Sequence, residues 1–251
     1  MVSENRKDLK YTGTIQGTLD VSGHVYNKVS VIGEMYVRGD LDCNRLSVNG
    51  TFSDQGTLKA KDGSINGEIE IKKGLESDRF CINGQAEIGG SVDVKDLRFW
   101  GTVRVKGNIS SEKMDFLGEV HVAKDCNAET FVSKGNFVIG GMLNAGLIDI
   151  NMYGDCRVQE IGGETVRIKR MRKALFNRIM RYIMPEFDSR GRLETDTIEG
   201  DEVYVEYTSA KTVRGNRVMI GKGCEIRLVE YKDSFEKDKD SQVKEHVKTG
   251  L

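Results

Sequence analysis

Hydrophobic and polar residues alternate along most of the first two thirds of the chain, as in Ile65-x-Gly67-x-Ile69-x-Ile71. A spacing of two residues is typical of a β-strand with one face inward and one outward. The alternation returns in the same register every 17 residues, and glycine marks seven successive repeats: Gly33, Gly50, Gly67, Gly84, Gly101, Gly118 and Gly135. Short strands at a constant period predict an all-β fold, a parallel sheet wound into coils of about 17 residues.

The repeat also predicts which side chains point into this β-helix. Residues 17 apart lie above one another in neighbouring coils, about 4.8 Å apart. Hydrophobic residues recur two residues before each marker glycine and two, four, eight and thirteen residues after it, so we place these columns inside. Asp54 interrupts one column, and we expect a bulge or outward rotation there because an unpaired buried carboxylate is costly. We place the β-helix at residues 13–163, after a flexible N-terminal tail of residues 1–12.

The spacing changes in residues 164–192. From Val166 to Met184 the large apolar residues lie four apart, which predicts an amphipathic helix ended by Pro185. The segment carries nine bases and three acids, a net charge of +6. The helix is either a flap packed on the solenoid or a surface for an anionic membrane or an acidic partner protein. The candidate binding residues are Lys169, Arg170, Arg172, Lys173, Arg178 and Arg181.

The rest of the chain divides into two segments. Alternation returns in residues 193–229, which we assign to additional, less regular β coils. Residues 230–251 begin with a run of mixed charge, which predicts a solvated, disordered tail.

Composition and charge exclude several classes of protein. The chain has 29 Gly but one Pro, which argues against collagen-like and proline-rich disordered structures. The net charge of −1 argues against nucleic-acid binding through bulk electrostatics. No apolar run is long enough for a membrane span, and the first residues lack the apolar core of a signal peptide, so we expect a cytoplasmic protein. The five cysteines include no CxxC pair, which favours reduced, buried thiols over disulfides or a zinc site.

The sequence offers no constellation for catalysis. The three histidines, His24, His121 and His246, are far apart, and no pair of carboxylates faces a recognisable cleft. We therefore expect no catalytic or metal site, no cofactor, no small-molecule substrate and no enzymatic activity. The enzyme alternative, a β-helix acyltransferase of the hexapeptide class, would need a strict six-residue pattern and 18-residue coils.

The 17-residue glycine and aliphatic pattern from Ile15 to Val158 resembles the bactofilins, polymer-forming bacterial cytoskeletal proteins. The resemblance implies a right-handed parallel β-helix, nucleotide-independent head-to-tail polymerisation and, often, peripheral attachment to the inner face of the cell membrane. Bactofilins commonly carry a short apolar N-terminal targeting stretch, whereas Met1–Lys10 is polar here.

Elementary physics favours self-assembly independently. An uncapped β-solenoid presents unpaired N–H and C=O groups at its ends, and these can pair with another copy. Because no helix is predicted ahead of the first coil, we place a candidate assembly edge at Ile15, Leu19 and Val21. The sequence thus predicts a scaffold that forms homopolymers. The alternative is a non-polymerising adaptor that binds a membrane or partner through the basic helix.

Overall fold

The computed structural model describes residues 17–20, 25–171 and 191–250, with side chains from residue 26 onward. The predicted N-terminal tail, residues 1–12, lies outside this part. The described residues contain no helix. They form thirteen strands: β1 (Gly17–Asp20), β2 (Val25–Arg38), β3 (Leu41–Asp54), β4 (Leu58–Ile71), β5 (Leu75–Ile88), β6 (Val92–Val105), β7 (Ile109–Val122), β8 (Cys126–Met152), β9 (Cys156–Arg170), β10 (Leu193–Val205), β11 (Thr208–Ile220), β12 (Glu225–Lys237) and β13 (Gln242–Lys248).

The chain divides into two compact units, and unit 1 extends to Glu112. Its strands β1 to β6 pair in chain order, each parallel to the next. From β2 to β6 the paired residues are always 17 apart, so that Leu41, Leu58 and Leu75 stack. The predicted parallel β-solenoid with 17-residue coils is therefore confirmed in this unit.

Unit 2 begins at Lys113 and is a less regular parallel solenoid. Strands β8 to β13 again pair in chain order. The paired residues are 15 apart between β10 and β11, as in Leu193 with Thr208, but 17 apart between β12 and β13. Strands β10, β11 and β12 occupy the segment in which additional coils were expected.

The hydrophobic columns predicted from the repeat lie inside both units. In unit 1, for example, Val48, Ile65 and Ile82 are fully buried in successive coils. In unit 2 three buried phenylalanines contact one another edge to face, with ring centroids 5.4 to 6.3 Å apart: Phe116, Phe131 and Phe137. The core is therefore narrow and made of stacked rows of side chains.

The marker glycines are required by backbone geometry. Six of the seven, all except Gly135, have φ between 105° and 136°, a region that other residues rarely adopt. A Cβ atom on Gly84 would lie 2.1 Å from the carbonyl oxygen of Gly67 in the preceding coil. A Cβ on Gly135 would come equally close to the Gly118 oxygen. Each turn of the repeat therefore needs glycine where neighbouring coils approach most closely.

Asp54 contradicts the expected bulge or outward rotation. Its side chain is 0% exposed, and it pairs in register between Val37 and Ile71. One carboxylate oxygen, Oδ1, accepts a hydrogen bond from the Gly56 backbone N–H at 2.7 Å, whereas Oδ2 has no partner among the described residues. Burial raises the pKa of Asp54 to about 6. The inward position is tolerated because the carboxylate holds the turn after β3, whose backbone donor it satisfies.

The predicted helix is wrong at its beginning. Val166 to Arg170 belong to strand β9, where Val166 pairs with Ile148 and Ile168 pairs with Ile150. Val166 and Ile168 continue two inward columns of the solenoid. Their burial in these columns outweighs the helical spacing that they share with later residues. The first solenoid segment thus extends beyond residue 163, and the rest of the predicted helix, from residue 172, lies outside the described residues.

The predicted disordered tail is also corrected. Strand β12 continues to Lys237, and β13 covers Gln242–Lys248. Ile226 pairs with Val243 and Val229 pairs with His246. The charged side chains of this segment are exposed, while its backbone forms parallel-sheet hydrogen bonds. A high charge content is therefore compatible with the last coils, because their charged side chains lie in solvent while the backbone pairs.

Candidate functional site

Strand β13 is the last described strand of unit 2. It pairs with β12 on one side, and no described residue pairs with its other edge. Most of its side chains are exposed, and Val247 is 48% exposed. An open strand edge is a template for pairing with another chain.

Three rings lie at the same end of the core. Phe235 is 5.1 Å from His246 and 5.6 Å from Tyr231, measured between ring centroids. His246 continues the column of the fully buried Val229, and Phe235 continues that of Val218, yet His246 itself is exposed. The hydrophobic columns of unit 2 thus end in a half-covered aromatic cluster.

The sequence interpretation missed the last coil because it gave more weight to the charged residues after Glu230 than to the 17-residue period. The signal was present: Ile226 and Val243 are 17 residues apart, as are Val229 and His246. An interval equal to the earlier repeat predicts one more coil.

The candidate edge at the other end of the chain is described only in part. Leu19 lies in β1 and pairs in register with Val37. Ile15 and Val21 lie outside the described residues, so the structure does not bring these three residues together.

Two of the six candidate binding bases are described, and both lie at the end of β9. The Lys169 ammonium is 5.3 Å from the centre of the Tyr204 ring. The Arg170 guanidinium lies 3.3 Å from the centre of the Tyr207 ring and donates a hydrogen bond from Nε to the Gly191 carbonyl at 3.0 Å. Arg170 therefore links the end of β9 to Gly191, two residues before β10. The other four bases, Arg172, Lys173, Arg178 and Arg181, lie outside the described residues.

All five cysteines are free thiols, and burial favours their protonated form. Four are buried, and Cys81 is half-buried. Burial raises the pKa of Cys43, Cys126 and Cys156 to about 12 and that of Cys224 to about 11. Within the described ranges, no three His, Cys, Asp or Glu side chains are grouped to hold a metal ion. In the same ranges, no helix is long and apolar enough to cross a membrane.

These features define the described part of the chain as an all-β parallel β-solenoid. Part of the chain is similar to two curated proteins of Bacillus subtilis (strain 168). "Uncharacterized protein YhbF" is 44% identical over 109 residues, which is 43% of this chain and 42% of that protein. "Uncharacterized protein YhbE" is 34% identical over 111 residues, 44% of each chain. The match therefore spans less than half of these relatives, and no family model and no solved structure matches the chain.

Proposed function

We propose that this chain is a self-assembling scaffold protein of the kind its bactofilin resemblance implies, a right-handed β-helix whose copies join end to end without a nucleotide. The observation that carries the proposal is the edge of β13 that pairs with no described residue, beside the aromatic end of the core. An added strand would pair with the backbone of β13 and cover Val243 and His246. Both backbone hydrogen bonding and apolar burial therefore favour association.

The symmetry of the contact decides the product. If the β13 end of one copy binds the β1 end of the next, the assembly continues as a filament. If like ends meet, it closes as a dimer. The proposed polymer is cytoplasmic, and the bases at residues 169–181 are its proposed attachment to an anionic membrane surface or an acidic partner.

Two substitutions on one strand test the end contact. Val243 lies in an inward column, whereas Val247 lies on the outer surface of the same strand. Val243→Lys places a cation in the last layer of the core, where it would be desolvated on assembly. We expect it to convert sedimenting polymers into small species, while Val247→Lys leaves assembly unchanged. The measurement is sedimentation velocity at rising protein concentration, with electron microscopy of the same samples.

Two results would overturn the proposal. A wild-type chain that remains monomeric at high concentration would leave the non-polymerising adaptor as the better hypothesis. Polymers equally sensitive to both substitutions would show that the contact does not depend on the end of the core.

A further inference from the structure

One outer position of unit 1 alternates in charge over strands β3 to β6, whereas the same register position in β2 is a second base, Lys28. Arg45, Asp62, Arg79 and Asp96 occupy the same register position in β3, β4, β5 and β6. Their side chains point away from the core and are partly or fully exposed. The four residues form a straight column with the charge order plus, minus, plus, minus.

The acids of this column are already paired within the chain. Arg79 Nε lies 2.6 Å from Asp62 Oδ1, and Arg98 Nη2 lies 2.9 Å from Asp96 Oδ2. The side chains of Asp62 and Asp96 are nevertheless 26% and 30% exposed, and that of Arg79 is 69% exposed. Each guanidinium has five N–H donors, so these pairs leave donors for further carboxylates.

Small polar side chains cover the surface beside the column. Ser47, Ser64 and Cys81 line a groove of about 440 Å³ together with the charged residues. Two residues further along β3, β4 and β5 is a ladder of asparagines, in which Asn66 donates to Asn49 at 3.0 Å and Asn83 donates to Asn66 at 2.8 Å. In β6 the same register position is Trp100, which is 56% exposed. We call this surface of β3 to β6 the alternating-charge face.

We propose that the alternating-charge face binds the same face of a second copy, with the two solenoids antiparallel. A two-fold axis parallel to the strands, passing between the levels of Asp62 and Arg79, reverses the order of the column. It places Arg45 opposite Asp96 of the partner subunit and Asp62 opposite Arg79 of the partner subunit, and the reverse pairs follow by symmetry. The column is therefore complementary to itself at all four positions.

Other arrangements of two copies lose these pairs. A two-fold axis along the solenoid reverses the strand direction but keeps the order of the coils. If it passes through the charge column, each charge faces its own copy and like charges repel; if it passes between the column and the asparagine ladder, the charges face asparagines, so neither position forms ion pairs. The antiparallel arrangement also places Arg98 of the partner subunit over Ser47, in the groove with the small side chains. The long Arg98 side chain then fills the space that the short Ser47 side chain leaves open.

The contact is small. Four strands about 4.8 Å apart and five residues of about 3.3 Å give roughly 300 Å² per copy, whereas a stable interface buries about 800 Å² per partner. A single pair is therefore weak, and repetition along a polymer would strengthen it by multivalency. The face contains no residue of β13, so its pairing is tested separately from the end contact.

Charge reversal in matched sets tests the pairing. An all-basic column carries Asp62→Arg and Asp96→Arg, and an all-acidic column carries Arg45→Asp and Arg79→Asp. Each full-length variant is made with Val243→Lys, so that end assembly does not obscure the readout. We expect each variant alone to self-associate at least about tenfold more weakly than the Val243→Lys parent, because like charges face each other. An equimolar mixture should associate again.

The measurement is sedimentation equilibrium at low salt, up to several hundred micromolar, and added salt should weaken association. A control changes the same charges on another face of the same unit, with Glu76→Arg and Asp78→Arg, and should behave as the parent. Circular dichroism checks that each variant is folded.

Three outcomes would overturn the inference: a parent that stays monomeric at low salt, single-sign variants that associate like the parent, or a mixture that does not associate. If Val243→Lys still polymerises, the end contact is wrong instead. The same charge variants are then compared by side-by-side pairing of filaments in micrographs, which must be lost in each variant and return in the mixture.

Discussion

Asp54 gives the sharpest test of the packing in unit 1. Its side chain is fully buried in an aliphatic column, and burial raises its pKa from an ordinary value of 3.8 to about 6. Between these values the folded chain holds the proton more tightly than the unfolded chain. The contribution of Asp54 to the free energy of unfolding is therefore highest below pH 4, falls as the pH rises towards 6 and is constant above that.

The substitution Asp54→Asn isolates this effect. The amide oxygen can still accept the Gly56 N–H, but the side chain no longer ionises. A shift of about two pKa units corresponds to about 3 kcal/mol. We therefore expect the stability of Asp54→Asn, relative to wild type, to rise by about 2–3 kcal/mol from pH 4 to pH 7. Any effect of the amide on stability that does not depend on pH is the same at both pH values and cancels in this comparison.

The assay is urea unfolding at each pH, followed by the fluorescence of Trp100. Trp100 is the chain's one tryptophan and lies in unit 1, so it reports on the unit that contains Asp54. The control Asp93→Asn removes an exposed carboxylate from the same unit. A relative stability of Asp54→Asn that is equal at pH 4 and pH 7 would show that the carboxylate is not buried, as an outward rotation of the strand would require.

Three further predictions concern the backbone and the proposed contacts. Gly84→Ala should lower the melting temperature strongly, because a φ of 136° costs an alanine about 1–3 kcal/mol and its Cβ would meet a carbonyl oxygen; Gly74→Ala, with its nearest contact at 3.1 Å, should have a smaller effect. Leu19→Lys, in the strand that pairs with Met35–Arg38, should shift polymers towards smaller species in sedimentation, and unchanged polymers would exclude this edge. If the basic segment binds membranes, wild type should float with anionic vesicles at low salt and Arg172→Glu with Arg178→Glu should not; no flotation of wild type would exclude that role.

The errors of the sequence interpretation have a common physical origin. Val166 and Ile168 satisfy both a helical and a strand pattern, and the buried partners Ile148 and Ile150 in the preceding coil select the strand. The mixed charges after Glu230 suggested disorder, but β12 supplies the backbone partners that β13 needs. In both cases the deciding contact comes from a neighbouring coil, which local composition does not reveal.

The sequence by itself determined the 17-residue period, the inward columns and the positions of the marker glycines. Each of these features is repeated in every coil and depends on strand alternation and backbone sterics. Only the tertiary structure decided the inward direction of Asp54, which depends on the Gly56 N–H in the turn that follows. It also decided how the acids of the Arg45 to Asp96 column pair within the chain: Asp62 pairs with Arg79 of the next coil, whereas Asp96 pairs with Arg98 of its own strand. Features that repeat in every coil follow from local rules and can therefore be read from the sequence. The ends of the solenoid, the buried exception at Asp54 and the contacts between surface side chains depend instead on which coils are neighbours.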